Sequence, residues 1–150
     1  MTDLGGPILN ILLVEDDEGD AFIMEDLLED LHLNLRLHHV VDGYQALAYL
    51  KQQPPYEQES LPDLILLDLN MPRMGGKELL DNLRQDPQLA YMPVLILTTS
   101  SAEIDVEDVY RKGGNCYLVK PAGIEPMIKL LRSMSEFWGR VAELPSKHLP

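Results

Sequence analysis

Five short apolar runs divide this chain, and stretches with helical periodicity lie between them. The third run, Leu64–Leu67, is continuous rather than alternating, which is typical of a strand buried on both faces of a sheet. Four further strands are predicted over residues 8–14, 34–41, 94–97 and 116–119. The strand over 34–41 alternates more between apolar and polar positions, so we expect it to lie nearer the sheet edge.

Apolar residues at three- and four-residue intervals predict a helix after each strand. The first helix is expected to run from an N-cap at Asp20 to about Leu31, and the last from Ile124 to Val141. The stretch 52–62, which contains three prolines, is expected to be a loop without a catalytic role. Alternating strands and helices predict an α/β fold of the flavodoxin-like (βα)5 type. This is a doubly wound parallel sheet of strand order 2-1-3-4-5 with an extended C-terminal helix.

The composition is that of one globular domain, with 150 residues of which 45% are hydrophobic and 25% charged. We expect a disordered lead-in over 1–7, a domain over 8–143 and a tail over 144–150. The net charge of −13 argues against sequence-independent nucleic-acid binding, which needs a basic surface. No apolar run approaches the ~18 residues that span a membrane, and no signal peptide is evident. With Cys116 as a lone, buried thiol, these features predict a cytoplasmic protein.

Polar residues follow four of the five predicted strands. Glu15 and Asp16 follow the first strand, Asp68 the third, Thr98 the fourth and Lys120 the fifth. Taken alone, Asp68 would be interpreted as the cap of a turn. In a parallel sheet, however, all strands end at one edge, and the first and third strands meet at the switch point of the strand order. Carboxylates gathered there need a cation, and oxygen ligands favour Mg²⁺. A carboxylate beside hydrated Mg²⁺ suits phosphoryl transfer onto Asp68.

Four segments together resemble the receiver domain of two-component response regulators. They are Leu12–Asp16, Leu66–Pro72, Val94–Thr98 and Tyr117–Pro121. The resemblance implies that a sensor histidine kinase transfers its phosphoryl group to this chain in the presence of Mg²⁺. The resemblance implies that Asp68 is the phospho-acceptor and that Lys120 is the phosphate-pairing lysine. Glu15 and Asp16 are the implied acidic pair of the metal site, and the implied direct metal ligands are Asp16, Asp68 and the backbone carbonyl of Asn70. Thr98 is the implied switch hydroxyl and Tyr117 the implied switch aromatic residue.

A narrower resemblance lies towards the C-terminus. Asn115–Leu118 and Glu136–Trp138, followed by Leu144-Pro145, are similar to the single-domain regulators that serve cyanobacterial phytochrome kinases. The kinase partner is therefore expected to be of the phytochrome type. Two departures from the receiver pattern are Gly75, where receivers often carry Asp, and Thr99, where many carry Ala.

The expected function is a phosphorylation switch rather than an enzyme, although the domain is expected to promote its own dephosphorylation. Thr98 would move towards the phosphoryl group and Tyr117 would swing inward, changing the face made by the fourth helix, fifth strand and fifth helix. Two alternatives stay open. An aspartyl phosphatase of the haloacid-dehalogenase type would want a second Asp where Asn70 stands, and a cap segment. A receiver-shaped binding module would act without phosphorylation.

Phe137 and Trp138 continue the apolar stripe of the last helix beyond the length that one small domain needs. Aromatic side chains are enriched in buried interface cores. They are therefore candidates for a homodimer contact through the face of the fourth helix, fifth strand and fifth helix. We expect no output segment after residue 150, so the expected output is another protein or phosphate relay.

Overall fold

The computed structural model describes residues 7–147 and places a five-stranded parallel sheet at their centre. The strands are β1 (Leu9–Val14), β2 (Leu35–Val40), β3 (Leu64–Leu67), β4 (Val94–Thr98) and β5 (Cys116–Val119). The helices are α1 (Glu18–Leu31), α2 (Gly43–Leu50), α3 (Gly76–Gln85), α4 (Glu103–Arg111) and α5 (Ile124–Glu136). All neighbouring strands are parallel and their order is β2-β1-β3-β4-β5, which confirms the predicted doubly wound (βα)5 fold.

The sheet separates two apolar layers, and side chains alternate between them along each strand. In β3, Ile65 and Leu67 face the layer of α2, α3 and α4, whereas Leu64 and Leu66 face the layer of α1 and α5. All four β3 residues are fully buried, because β3 is central and covered on both faces. Strand β2 lies at the edge and is only partly buried, as its alternating pattern predicted.

Helix α1 begins earlier than predicted, and its cap is a different residue. Asp17 is the N-cap, and its Oδ1 accepts a hydrogen bond of 3.0 Å from the backbone N of Asp20. The prediction that Asp20 caps the helix is therefore wrong. Because Asp20 lies in the first helical turn, its carboxylate is available for another contact, described below.

The last helix has the predicted extent but contains two helix types. Helix α5 ends at Glu136, and Phe137–Val141 continues it as a π-helical turn. Leu144 then returns to the layer of α1 and α5, where it is 3% exposed. Ser146 Oγ donates a 2.6 Å hydrogen bond to Asp63 Oδ1, which fixes the end of the described chain against the start of β3.

Several sequence predictions fall on the chain ends. The predicted disordered lead-in lies outside the described residues except for Pro7, and so do residues 148–150 of the predicted tail. The domain boundary at residue 143 stays a prediction. Within residues 7–147, no helix is both long enough and apolar enough to cross a membrane.

Candidate functional site

Carboxylates from the ends of β1 and β3 lie together at the carboxyl edge of the sheet. These strands are neighbours where the strand order reverses, and the backbone N of Asp68 donates to Val14 O at 3.0 Å. One carboxylate oxygen from each of Glu15, Asp16 and Asp68 lies within 4.8 Å of the other two. Glu15 and Asp68 are buried, whereas Asp16 is exposed. We call these three residues the acidic cluster.

Lys120 brings a positive charge to the acidic cluster from the end of β5. Its backbone N donates to Thr98 O at 2.7 Å, which extends the β4–β5 ladder and directs the residue to the same edge. Its Nζ pairs with Glu15 Oε1 and lies 3.0 Å from Asp20 Oδ2 and 3.8 Å from Asp68 Oδ2. The Lys120 side chain is only 11% exposed, so its pairs with the buried Glu15 and Asp68 are shielded from water, whereas Asp20 is 45% exposed.

The ionisation of Lys120 and Glu15 follows from their burial and their contact. Burial by itself would lower the pKa of Lys120, but the hydrogen bonds to Glu15 and Asp20 outweigh it, and the net shift is upward. Burial also raises the pKa of Glu15 above its usual range; the Lys120 hydrogen bond opposes this shift, and the Asp68 charge adds to it. A divalent cation among the carboxylates would favour the ionised form of Glu15.

The donor set of the acidic cluster fits a hard divalent cation. It consists of three carboxylates, and ions such as Mg²⁺ prefer oxygen ligands. Asn70, whose backbone carbonyl was predicted as a further ligand, is exposed two residues after Asp68. Its backbone N lies 3.5 Å from Asp68 Oδ1. Nearby, His39 Nε2 lies 2.6 Å from the backbone oxygen of Glu15, which supports the end of β1 from β2.

Thr98 ends β4 with a buried hydroxyl that lacks a hydrogen-bond partner. The residue is 0% exposed. Its Oγ1 is the one buried side-chain N or O atom within residues 7–147 that has no hydrogen-bond partner. An unsatisfied buried hydroxyl costs on the order of 1–3 kcal/mol. A hydrogen-bond acceptor that enters the site would therefore satisfy the Thr98 hydroxyl and remove this cost.

Tyr117, on β5, connects its strand to the segment that follows β4. The residue is partly buried and packs against the layer of α2, α3 and α4. Its hydroxyl donates a 2.7 Å hydrogen bond to the backbone oxygen of Ser100. Thr98 and Tyr117, predicted as the two switch residues, are thus joined through Ser100, two residues after Thr98.

Two contributions to the site were not foreseen. Asp20 pairs with Lys120 instead of capping α1. Gly76 begins α3 directly behind Asp68: a Cβ at this position would overlap the Asp68 backbone oxygen and lie 2.8 Å from Leu69 Cα. The Gly75-Gly76 pair signals close backbone packing, but only the fold shows which glycine supplies it.

The candidate dimer residues lie at a different place on the molecule. Phe137 and Trp138 line an apolar groove of about 730 Å³ beside β5 and α5, which we call the β5–α5 groove. Its other lining residues are Asn115, Cys116, Leu118, Pro126, Lys129, Leu130, Ser133 and Met134. Phe137 is 50% exposed and packs edge-on against Trp138, with ring centroids 5.2 Å apart. Burial raises the pKa of the Cys116 thiol in this groove.

Comparison with known proteins identifies the family. The model of the response regulator receiver domain matches residues 11–132. Response regulator Rcp1 of Synechocystis sp. is 38% identical over 146 residues, which are 97% of this chain and 99% of Rcp1. The chain therefore belongs to the response regulator receiver domain family and is a receiver of the two-component type. This confirms the resemblance inferred from the sequence.

Solved structures relate it more narrowly to phytochrome regulators. The phosphorylated cyanobacterial phytochrome response regulator RcpA is 38% identical, with a TM-score of 0.84 over 92% of this chain and 99% of RcpA. The Mn²⁺-bound form of Rcp1 is 39% identical, with a TM-score of 0.81 over 91% and 99% of the two chains. Response regulator RPA3017, from red light signalling of R. palustris, is 33% identical, with a TM-score of 0.86 over 92% of this chain and 99% of RPA3017.

Proposed function

We propose that this chain accepts a phosphoryl group from a histidine kinase onto Asp68 and so acts as a switch. The observation that carries the proposal is the position of Asp68, between two further carboxylates and the Lys120 ammonium at the switch point of the sheet. Ligands of doubly wound sheets bind at this edge. The family membership supports the same assignment.

In the proposed step, an Asp68 carboxylate oxygen attacks the phosphorus of a phosphohistidine on the kinase. An O–P bond forms, the P–N bond breaks, and the electron pair returns to the imidazole nitrogen. Lys120, held at the site by Glu15 and Asp20, lies 3.8 Å from Asp68 Oδ2 and would pair with an oxygen of the transferred group. Thr98 would donate its unpartnered hydroxyl to another oxygen.

Mg²⁺ is the proposed metal, and the Mn²⁺-bound form of Rcp1 supports divalent-ion binding in a relative. Glu15, Asp16, Asp68 and the backbone carbonyl of Asn70 would hold it. When bound, the ion supplies positive charge to the oxygens of the phosphoryl group. The exposed Asp16 leaves one side of the acidic cluster open to water, which suits an ion that keeps several waters. Water reaching the same side would also support the proposed self-catalysed dephosphorylation.

The proposed output is a change of the face made by α4, β5 and α5. Movement of Thr98 would shift Ser100 and thereby the hydroxyl partner of Tyr117. A phytochrome-type histidine kinase is the proposed partner, because the similar protein RcpA is a cyanobacterial phytochrome response regulator. Homodimerisation through this face, with Phe137 and Trp138 in contact, would cover the apolar β5–α5 groove.

The proposal is tested by replacing the acceptor carboxylate. Wild type, Asp68→Asn and the control Asp30→Asn, which changes an exposed aspartate at the end of α1, are incubated with Mg²⁺ and a phosphorylated histidine kinase. We expect wild type and Asp30→Asn to gain one acid-labile phosphoryl group and Asp68→Asn to gain none. Equal labelling of Asp68→Asn would overturn the assignment. Failure of all three proteins to be labelled would favour a binding module that acts without phosphorylation.

A further inference from the structure

A continuous chain of polar contacts joins Tyr117 to helix α3. The Tyr117 hydroxyl donates to the backbone oxygen of Ser100 at 2.7 Å, and Ser100 Oγ donates to Asp105 Oδ2 at 2.5 Å. Lys77 Nζ, in the first turn of α3, then donates to Asp105 Oδ1 at 2.7 Å and to Asp108 Oδ2 at 2.9 Å. One lysine therefore fixes the first turns of α4 to α3.

These contacts hold the segment between β4 and α4 through both the backbone and the side chain of Ser100. The backbone oxygen of Ser100 is bound by β5, and its hydroxyl is bound by α4. Thr98, two residues earlier, has a buried hydroxyl without a partner in this arrangement. Movement of Thr98 towards a phosphoryl group on Asp68 would pull Ser100 away from Asp105, which Lys77 holds in place.

We propose that Lys77 is a positioning residue that tethers the segment 99–102 to α3 and favours the arrangement in which Thr98 has no partner. This inference rests on the proposed function, because it concerns the regulation of the same site. Removing the tether lowers the cost of moving Thr98. The variant without Lys77 should therefore bind a phosphoryl analogue more tightly than wild type.

The tether is partly shielded from solvent, which gives it measurable strength. The side chains of Lys77 and Asp105 are 32% and 25% exposed. Hydrogen bonds to Asp105 and Asp108 raise the pKa of Lys77, and those from Lys77 and Ser100 lower the pKa of Asp105. Partly exposed ion pairs make modest contributions individually, so we expect a change in affinity of about two- to five-fold.

The chain contains a matched control for the tether. Lys112, the C-cap of α4, pairs with Asp81 of α3 at 2.9 Å and therefore joins the same two helices. Its side chain is 33% exposed, nearly the same as that of Lys77. The Lys112 pair lies at the end of α4 opposite Asp105. Replacing either lysine by glutamine removes one positive charge; it removes two ion pairs between α3 and α4 at Lys77 and one at Lys112.

The first test titrates beryllofluoride, with saturating Mg²⁺, into wild type, Lys77→Gln and Lys112→Gln by calorimetry. We expect Lys77→Gln to bind about two- to five-fold more tightly than wild type and Lys112→Gln to match wild type. Thermal unfolding of each variant verifies that the fold is retained. Equal affinities for Lys77→Gln and Lys112→Gln would overturn the inference.

A second test needs neither metal nor analogue. Amide hydrogen exchange over residues 99–104 should be faster in Lys77→Gln than in wild type, with no change in Lys112→Gln. If wild type fails to bind beryllofluoride, the proposed function fails, but the exchange result still decides whether Lys77 holds this segment. Unchanged exchange in Lys77→Gln would refute the tether even if all three proteins bound the analogue.

A third variant tests the route through Asp105. Ser100→Ala removes the hydroxyl bond to Asp105 and should also tighten beryllofluoride binding. Because Lys77 and Ser100 act on the same carboxylate, the double variant should gain less affinity than the two single changes combined. Fully additive gains would show that the two residues act independently and would contradict the proposed connection.

Discussion

The acidic cluster and the β5–α5 groove are built in opposite ways within one small domain. The cluster unites carboxylates from two strand ends that are distant in the sequence, and the buried Lys120 ammonium from a third strand end completes it. The groove is mainly apolar and is formed by β5 and the helix that follows it. The sheet edge is therefore suited to chemistry on a charged group, whereas the groove is suited to apolar contact with another surface.

The largest expected effect concerns the balance of charge in the acidic cluster. Lys120→Gln removes the ammonium and leaves Glu15 without its buried partner, which should lower the free energy of unfolding by about 3 kcal/mol in metal-free buffer. Because a bound cation would replace part of that charge, Mg²⁺ should narrow the difference from wild type. Chemical denaturation with and without Mg²⁺ measures both values. A Mg²⁺-independent difference would contradict a metal site at this cluster.

The next prediction concerns the backbone behind Asp68. Gly76→Ala places a Cβ against the Asp68 backbone oxygen and should destabilise the fold by about 2 kcal/mol and displace the acceptor. Gly139→Ala is the matched control, because a Cβ there would meet no described heavy atom within 4 Å beyond its neighbours and its own helix backbone. Thermal unfolding and phosphorylation by a small phosphodonor are measured for both. Equal behaviour of the two variants would show that the edge tolerates the added methyl group.

The same positions show how far the sequence determines the site. The continuous run Leu64–Leu67 predicted a central strand, and that strand directs Asp68 to the edge where Glu15 and Asp16 also lie. The sequence did not distinguish Gly75 from Gly76, because both can precede a helix. Only packing against the residues that follow β3 shows that Gly76 is the closer of the two. A Cβ at Gly76 would overlap the Asp68 backbone oxygen, whereas a Cβ at Gly75 would meet its nearest atom, Leu69 O, at 3.3 Å.

Charged residues on helix surfaces were harder to predict than those at strand ends. Asp17 and Asp20 are both capable of capping α1, and the position of Lys120 determines which carboxylate pairs with it. Lys77 and Asp105 are 28 residues apart and meet only because α3 and α4 are neighbours on one face of the sheet. Helical periodicity predicted both helices, but it does not specify which turns face each other.

A smaller effect is expected at the groove. Phe137→Ala removes a half-exposed ring and should raise the dissociation constant of a homodimer about ten-fold, which is about 1.4 kcal/mol. Phe22→Ala, at the chain's other phenylalanine, removes an equally large ring, 67% exposed, from α1 and is the control. Sedimentation velocity measures association, and phosphorylation by a small donor should be unchanged in both variants. If Phe137→Ala dimerised with the same dissociation constant as wild type, this contact would be excluded.

The smallest expected effect is the reactivity of Cys116. Burial raises the pKa of its thiol, so the thiolate fraction at pH 8 is lower than in a free cysteine, and alkylation is slower. The alkylation rate should increase as the pH rises through the raised pKa of the Cys116 thiol. At pH 8, a homodimer covering the groove should slow alkylation further, about three-fold relative to Phe137→Ala. Equal alkylation rates in wild type and Phe137→Ala, at concentrations at which wild type is a dimer, would place the interface elsewhere.

Chemical identification of the phosphorylated side chain tests most directly whether Asp68 is the acceptor. An acyl phosphate on aspartate is reduced by borohydride to homoserine, which mass spectrometry locates in the sequence. After incubation with Mg²⁺ and a phosphodonor, we predict homoserine at position 68 and at no other aspartate, and none when Mg²⁺ is chelated. Homoserine at another position, or an equal yield without a divalent ion, would contradict the assignment of Asp68 as the acceptor within a metal-binding acidic cluster.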